Sequence, residues 1–144
     1  MPYSPLLVKP MREELSSLGV EELLTAEDVD RFLGNDSGTA LLIVNSVCGC
    51  AAGMARPGVR LALAEQQPDR VGTVFAGQDL EATARARAYF PEVPPSSPSM
   101  ALFKDGELVW FLPRHRIEGR SAEQVAEDLK AAFTENAAAP AAAG

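Results

Sequence analysis

Positive charge is in short supply in this chain: 13 lysines and arginines stand against 20 aspartates and glutamates, a formal net charge of −7. Nucleic acids and anionic membrane surfaces are bound through basic patches, so neither nucleic acid nor membrane is an expected partner. Long apolar runs are lacking as well. No stretch reaches the roughly 18 apolar residues of a membrane span, and Met1-Pro2-Tyr3-Ser4-Pro5 has neither the basic start nor the apolar core of a secretory leader. A cytoplasmic protein is therefore expected. No internal repeat is visible. Histidine occurs once, at His115, and cysteine twice. Such a set cannot readily close a tetrahedral metal site, so no metal and no bound cofactor are expected. With 144 residues and 47% hydrophobic content the chain can bury a core without disulfide staples, and its cysteines are not needed for folding.

Those two cysteines are the most informative residues present. Cys48-Gly49-Cys50 directly follows the apolar run Leu41-Leu42-Ile43-Val44-Asn45-Ser46-Val47 and precedes the small residues Ala51-Ala52-Gly53. A strand that delivers a thiol to the start of a helix leaves it beside unpaired backbone N–H groups and the positive end of the helix dipole. Both favour the thiolate, which is the nucleophile. A disulfide between the two would close through a single intervening residue and should be strained and easily reduced. Strained disulfides turn over, whereas structural ones resist reduction. Gly49 suits so short a link because its backbone is unrestricted. In a reducing compartment a cysteine pair is more often catalytic than structural. Two other readings use the same residues: small buried apolar side chains, or two thiolates clasping copper or zinc.

The rest of the chain reads as α/β. Met11 to Leu18 is expected to be a helix ended by Gly19, and Thr25 with Asp28 looks like a capping box opening a second helix to Phe32. Leu41 to Val47 has the continuous apolar character of a strand buried on both faces. The helix after the cysteines should end near Ala64 and, because of Pro57, be kinked or in two parts. Val71 to Ala76 is a second strand and Asp79 to Phe90 a helix closed by Pro91, so the order is βαβ. The proline-rich stretch from Pro91 to Pro98 is irregular. Ser99 to Lys104 and Glu107 to Leu112 flank Asp105-Gly106, a strong hairpin signal. Ser121 with Gln124 opens a last amphipathic helix through Phe133. Residues 1–136 form one domain on this reading, and 137–144 an Ala-rich disordered tail.

Asn45-Ser46-Val47-Cys48-Gly49-Cys50-Ala51-Ala52-Gly53, followed by Ala55-Arg56-Pro57-Gly58, resembles the signature of the bacilliredoxins, small thioredoxin-fold proteins with a Cys-Gly-Cys motif. Val74-Phe75-Ala76-Gly77-Gln78-Asp79, Pro94-Pro95-Ser96-Ser97-Pro98-Ser99 and His115-Arg116-Ile117-Glu118-Gly119-Arg120 are similar to other segments of that family, so the likeness runs from about Pro5 to Phe133. The resemblance implies a thioredoxin-like fold, a central mixed sheet flanked by helices with an N-terminal helical extension. It also implies a cis bond before Pro98, so that Pro98 and the backbone of Ser97 form one wall of the site.

The activity implied is thiol-disulfide exchange on S-bacillithiolated proteins. Cys48 would attack the bacillithiol sulfur and Cys50 would resolve the product, leaving a redox-active Cys48–Cys50 disulfide. Bacillithiol itself serves as the thiol co-substrate, and a bacillithiol disulfide reductase is an indirect partner. Outside the motif, Arg56 is a possible ligand-binding residue for the carboxylates of an anionic thiol, with Arg60, Arg114 and Arg116 as lesser candidates. His115 is a lesser candidate for a proton shuttle. Trp110 alternates with its neighbours in a strand and is expected to pack in the core. A general disulfide reductase or isomerase, a metal carrier, or a redox-sensing module would use the same cysteines.

Overall fold

Seven residues from Thr39 to Asn45 form a strand that is buried along its whole length, and the rest of the molecule is arranged around it. The computed structural model describes residues 2–34 and 37–137. In chain order the elements are α1 (Pro5–Ser16), β1 (Glu21–Glu22), α2 (Ala26–Leu33), β2 (Thr39–Asn45), a π-helical turn (Ala51–Ala55), α3 (Arg56–Leu63), β3 (Arg70–Phe75) and α4 (Leu80–Arg87). They are followed by β4 (Ser99–Lys104), β5 (Glu107–Leu112), a 3-10 turn (Arg114–Arg116) and α5 (Ala122–Asn136).

The strands form one mixed sheet in the order β1-β3-β2-β4-β5. β2 is parallel to β3 and antiparallel to β4, which pairs antiparallel with β5. Side chains alternate across a strand, so β2 feeds two cores. Leu41 and Ile43 join Val59, Leu63, Leu129 and Phe133 under α3 and α5, while Ala40, Leu42 and Val44 join Phe32, Ala82, Ala86 and Phe90 under α2 and α4. Gly58 permits the close seating of α3 on α5, since a Cβ there would lie 2.7 Å from Val125 Cγ1.

The hairpin expected at Asp105-Gly106 forms with both residues at positive φ, 50° and 86°. Ser121 and Gln124 complete their capping box, and α5 runs on to Asn136. Thr25 caps α2 through the Asp28 N–H, but the Asp28 carboxylate accepts from Leu24 N–H at 3.0 Å rather than from Thr25, one residue beyond a true box.

Three elements differ from expectation. Helix α1 begins at Pro5, not Met11, because Ser4 accepts from Leu6 N–H and Pro5 takes the first helical position, where its missing N–H is harmless. Pro10 is tolerated inside it: the carbonyl it deprives of a donor belongs to exposed Leu6. The short edge strand β1, parallel to Gly72 and Thr73, was too brief to leave a pattern. Helix α4 stops at Arg87 rather than at Phe90. The tail expected at 137–144 lies, Ala137 apart, outside the described residues.

Candidate functional site

Beyond Asn45 the chain leaves β2 and turns at once into helix. Ser46 Oγ accepts the Cys48 N–H at 3.0 Å, and the Cys48 carbonyl accepts from Ala51 N–H and Ala52 N–H at 3.0 and 3.2 Å. Cys48 therefore occupies the start of the helical turn, as the strand-to-helix reading requires. The turn is π-helical through Ala55, and Pro57 falls in the first turn of α3, which makes the helix two-part as expected. Gly49 lies between the two free cysteines. It is helical, with no positive φ, and a Cβ there would meet nothing within 4 Å, so glycine is not sterically required in this dithiol turn; its expected part is in the closed disulfide.

The Cys48 and Cys50 sulfurs are 2.7 Å apart. Their environments differ in a way that divides the labour. Cys48 is half-buried, and its thiol is more acidic than usual, first through the hydrogen bond with the Cys50 thiol and then through the Cys50 N–H, the Arg114 charge and the Ala51 N–H, against some burial. Cys50 is 6% exposed, and burial, followed by the neighbouring Cys48 sulfur, pushes its thiol up. One sulfur is thus the accessible and more acidic of the two, and the other a shielded thiol within reach of it.

A buried clasp holds this turn from below. Asn45 Oδ1 accepts from Ser46 N–H at 2.9 Å and from Arg56 Nη1 at 2.9 Å, and the same Nη1 donates to the Ser46 carbonyl at 2.8 Å. The Asn45 amide donates to Met11 O, and the Glu14 carboxylate lies 3.2 Å from Arg56 Nε, an ion-pair contact without hydrogen-bond alignment. Helix α1 is so tied to the redox turn. This corrects the reading of Arg56 as a ligand-binding residue. At 2% exposed, with its guanidinium turned to Asn45, Ser46 and Glu14, it does not present a fork to solvent. Asn45 was not singled out in the sequence; its signal was a polar residue closing an otherwise apolar strand.

Pro98 is buried, and the Ser97–Pro98 peptide is cis, as the resemblance implied. Ser96 anchors the segment before it: its carbonyl accepts from Ser99 Oγ at 2.9 Å and its Oγ from Arg114 N–H at 3.3 Å. Of the lesser candidates, Arg60, His115 and Arg116 are exposed, and Trp110 packs, partly buried, against the core. The described residues contain no group of three or more His, Cys, Asp and Glu side chains able to hold a metal ion, and no helix long and apolar enough to cross a membrane.

Residues 3–137 match a family model described as disulphide isomerase. A bacilliredoxin from Bacillus cereus is 55% identical over 136 residues, covering 93% of this chain and 94% of the relative. One from Salinibacter ruber is also 55% identical, covering 92% of this chain and 80% of its own length. The fold is that of thioredoxin: the oxidised Plasmodium falciparum thioredoxin superposes with a TM-score of 0.57 at 16% identity, over 83% of this chain and 99% of that one.

Proposed function

The chain belongs to the bacilliredoxin family and is a thiol-disulfide oxidoreductase; from that premise we propose that it removes bacillithiol from S-bacillithiolated proteins, with Cys48 as nucleophile and Cys50 as resolving thiol. The observation that carries this reading is the unequal exposure of two neighbouring sulfurs, with Cys48 half-buried at the start of the helical turn and Cys50 buried within reach of it.

The Cys48 thiolate attacks the bacillithiol sulfur of the mixed disulfide. A Cys48–bacillithiol disulfide forms, and the substrate protein leaves as a thiolate that takes up a proton. Cys50 then gives up its proton and attacks the Cys48 sulfur, expelling bacillithiol as its thiolate and closing the Cys48–Cys50 disulfide. Two bacillithiol molecules then return the pair to the dithiol and leave as bacillithiol disulfide, which a bacillithiol disulfide reductase reduces. Alternatively a second bacillithiol molecule attacks the cap on Cys48 directly. Burial of Cys50 favours this order, because a thiol of raised pKa waits until a disulfide forms beside it. A cytoplasmic location accords with a cycle run by a reducing thiol pool.

The description of the matching family as disulphide isomerase favours a second reading, in which Cys48 opens non-native disulfides and is released by the substrate's own thiol. One comparison separates the two. The reduced protein is offered a test protein carrying bacillithiol, the same protein carrying glutathione, and a scrambled-disulfide protein. De-bacillithiolation faster than both other reactions supports the proposal; equal or faster action on scrambled disulfides contradicts it.

A further inference from the structure

The sheet register brings three chain segments to one end of the molecule. β2 runs into Cys48; antiparallel to it, β4 starts at Ser99 opposite Val44; β5 ends at Leu112 opposite Met100. The cysteine turn, the 96–98 segment and the 114–116 turn therefore leave the sheet on the same edge. The Arg114 N–H bond to Ser96 Oγ ties the last two together. Arg114 also acts electrostatically on both thiols, and both act on it.

Two other arginines near this end are spoken for. Arg12 makes a two-pronged contact to Asp79 at 2.9 and 2.8 Å, and Arg56 is enclosed with Asn45, Ser46 and Glu14. Arg114 differs in its exposure. Its side chain is 43% exposed and pairs with a Glu118 that is 59% exposed, at 3.1 Å. So open a pair contributes little and exchanges readily for another carboxylate. His115 and Arg116 are exposed beside it. In a protein of net charge −7, an anionic ligand approaches the thiols against repulsion unless a local cation faces it.

We infer that Arg114 is the anion-recognition group of the site, exchanging Glu118 for a carboxylate of the small acidic thiol that caps the substrate cysteine. The inference rests on the de-thiolating reading above and adds a specificity residue to it. A guanidinium so placed holds the cap while Cys48 attacks the sulfur next to it, and it releases the cap once the expelled thiol diffuses away. Because the contact forms in the bound complex and persists through attack, it acts mainly on KM rather than on kcat.

The test uses one peptide with a single cysteine, capped either by 3-mercaptopropionate, which carries a carboxylate, or by the neutral 2-mercaptoethanol. Reduction by excess pre-reduced protein is followed in single turnovers at low salt. The preference of the wild type for the carboxylate cap should fall about three- to tenfold in Arg114→Gln, through half-saturation, and be largely kept in Arg114→Lys. Glu118→Gln, which frees the guanidinium, should raise it. Added salt should shrink the preference in the wild type but not in Arg114→Gln. An unchanged preference in Arg114→Gln overturns the inference. So does an equal slowing on both caps, which would mean that the charge serves only the Cys48 thiolate. A wild type no faster than Cys48→Ser on either peptide would defeat the de-thiolation reading itself, and the inference with it.

Discussion

Arg56 Nη1 donates to Asn45 Oδ1 at 2.9 Å, closing a buried contact between residues that flank the cysteine pair in sequence. The turn carrying Cys48 and Cys50 is therefore bracketed by a strand end and a helix start that are bonded to each other. The same guanidinium reaches α1 through Glu14, so the N-terminal extension supports the redox turn.

Replacing Arg56 with Met keeps an apolar stem of similar length and removes the donor to Asn45 Oδ1 and the Ser46 carbonyl. Asn45 Oδ1 keeps the Ser46 N–H, but both acceptors lose a buried charged donor, and about 1–3 kcal/mol of stability should be lost. The alkylation rate of Cys48 should change as well, since Ser46 positions the Cys48 N–H. Urea denaturation and iodoacetamide kinetics check this; a stability within about 0.5 kcal/mol of wild type, the range of an ordinary surface change, would show that the clasp is unimportant.

The acidity of Cys48 gives a pH prediction with a definite sign. A lowered pKa means that the thiolate, and with it the alkylation rate, appears at lower pH than for a free thiol of about 8.5. The largest cause is the Cys50 thiol, so Cys50→Ala should move the Cys48 midpoint upward, toward the free value. A midpoint that stays put would assign the acidity to the backbone N–H groups and Arg114 instead.

Gly58→Ala should destabilise the protein although alanine is the better helix former. The new Cβ would lie 2.7 Å from Val125 Cγ1, 2.9 Å from Val125 Cβ and 3.2 Å from Ala122 O, so α3 and α5 must separate. Overpacking costs about 1–3 kcal/mol, against about 1 kcal/mol of helix propensity gained. A net loss of up to about 2 kcal/mol follows, visible as a lower thermal midpoint. An unchanged or raised midpoint would show that the helix pair adjusts freely.

Local chemistry was legible in the sequence wherever one residue type dictates one conformation. Asp105-Gly106 formed its turn and Ser121 its capping box, and the run from Leu41 became a strand buried on both faces. Pro57 likewise foretold a divided helix. What could not be read was set by partners distant in sequence. Two-residue β1 exists because β3 offers it an edge, and Pro10 hid the early start of α1 because a proline in mid-helix ordinarily stops one. Arg56 looked like a surface cation near the motif. Only the folded chain brings Glu14 and Asn45 to it, whereas Arg114, far from the cysteines in sequence, acts on their sulfurs.

The roles of the two sulfurs are the centre of the account, and intact-mass analysis after a single turnover on a bacillithiolated protein tests them most directly. Cys50→Ser should strip the substrate once and gain the mass of one bacillithiol, held on Cys48, while Cys48→Ser should leave the substrate capped and remain unmodified. A Cys48→Ser protein that acquires the cap on Cys50 at the wild-type rate would contradict the assignment and reverse the two roles.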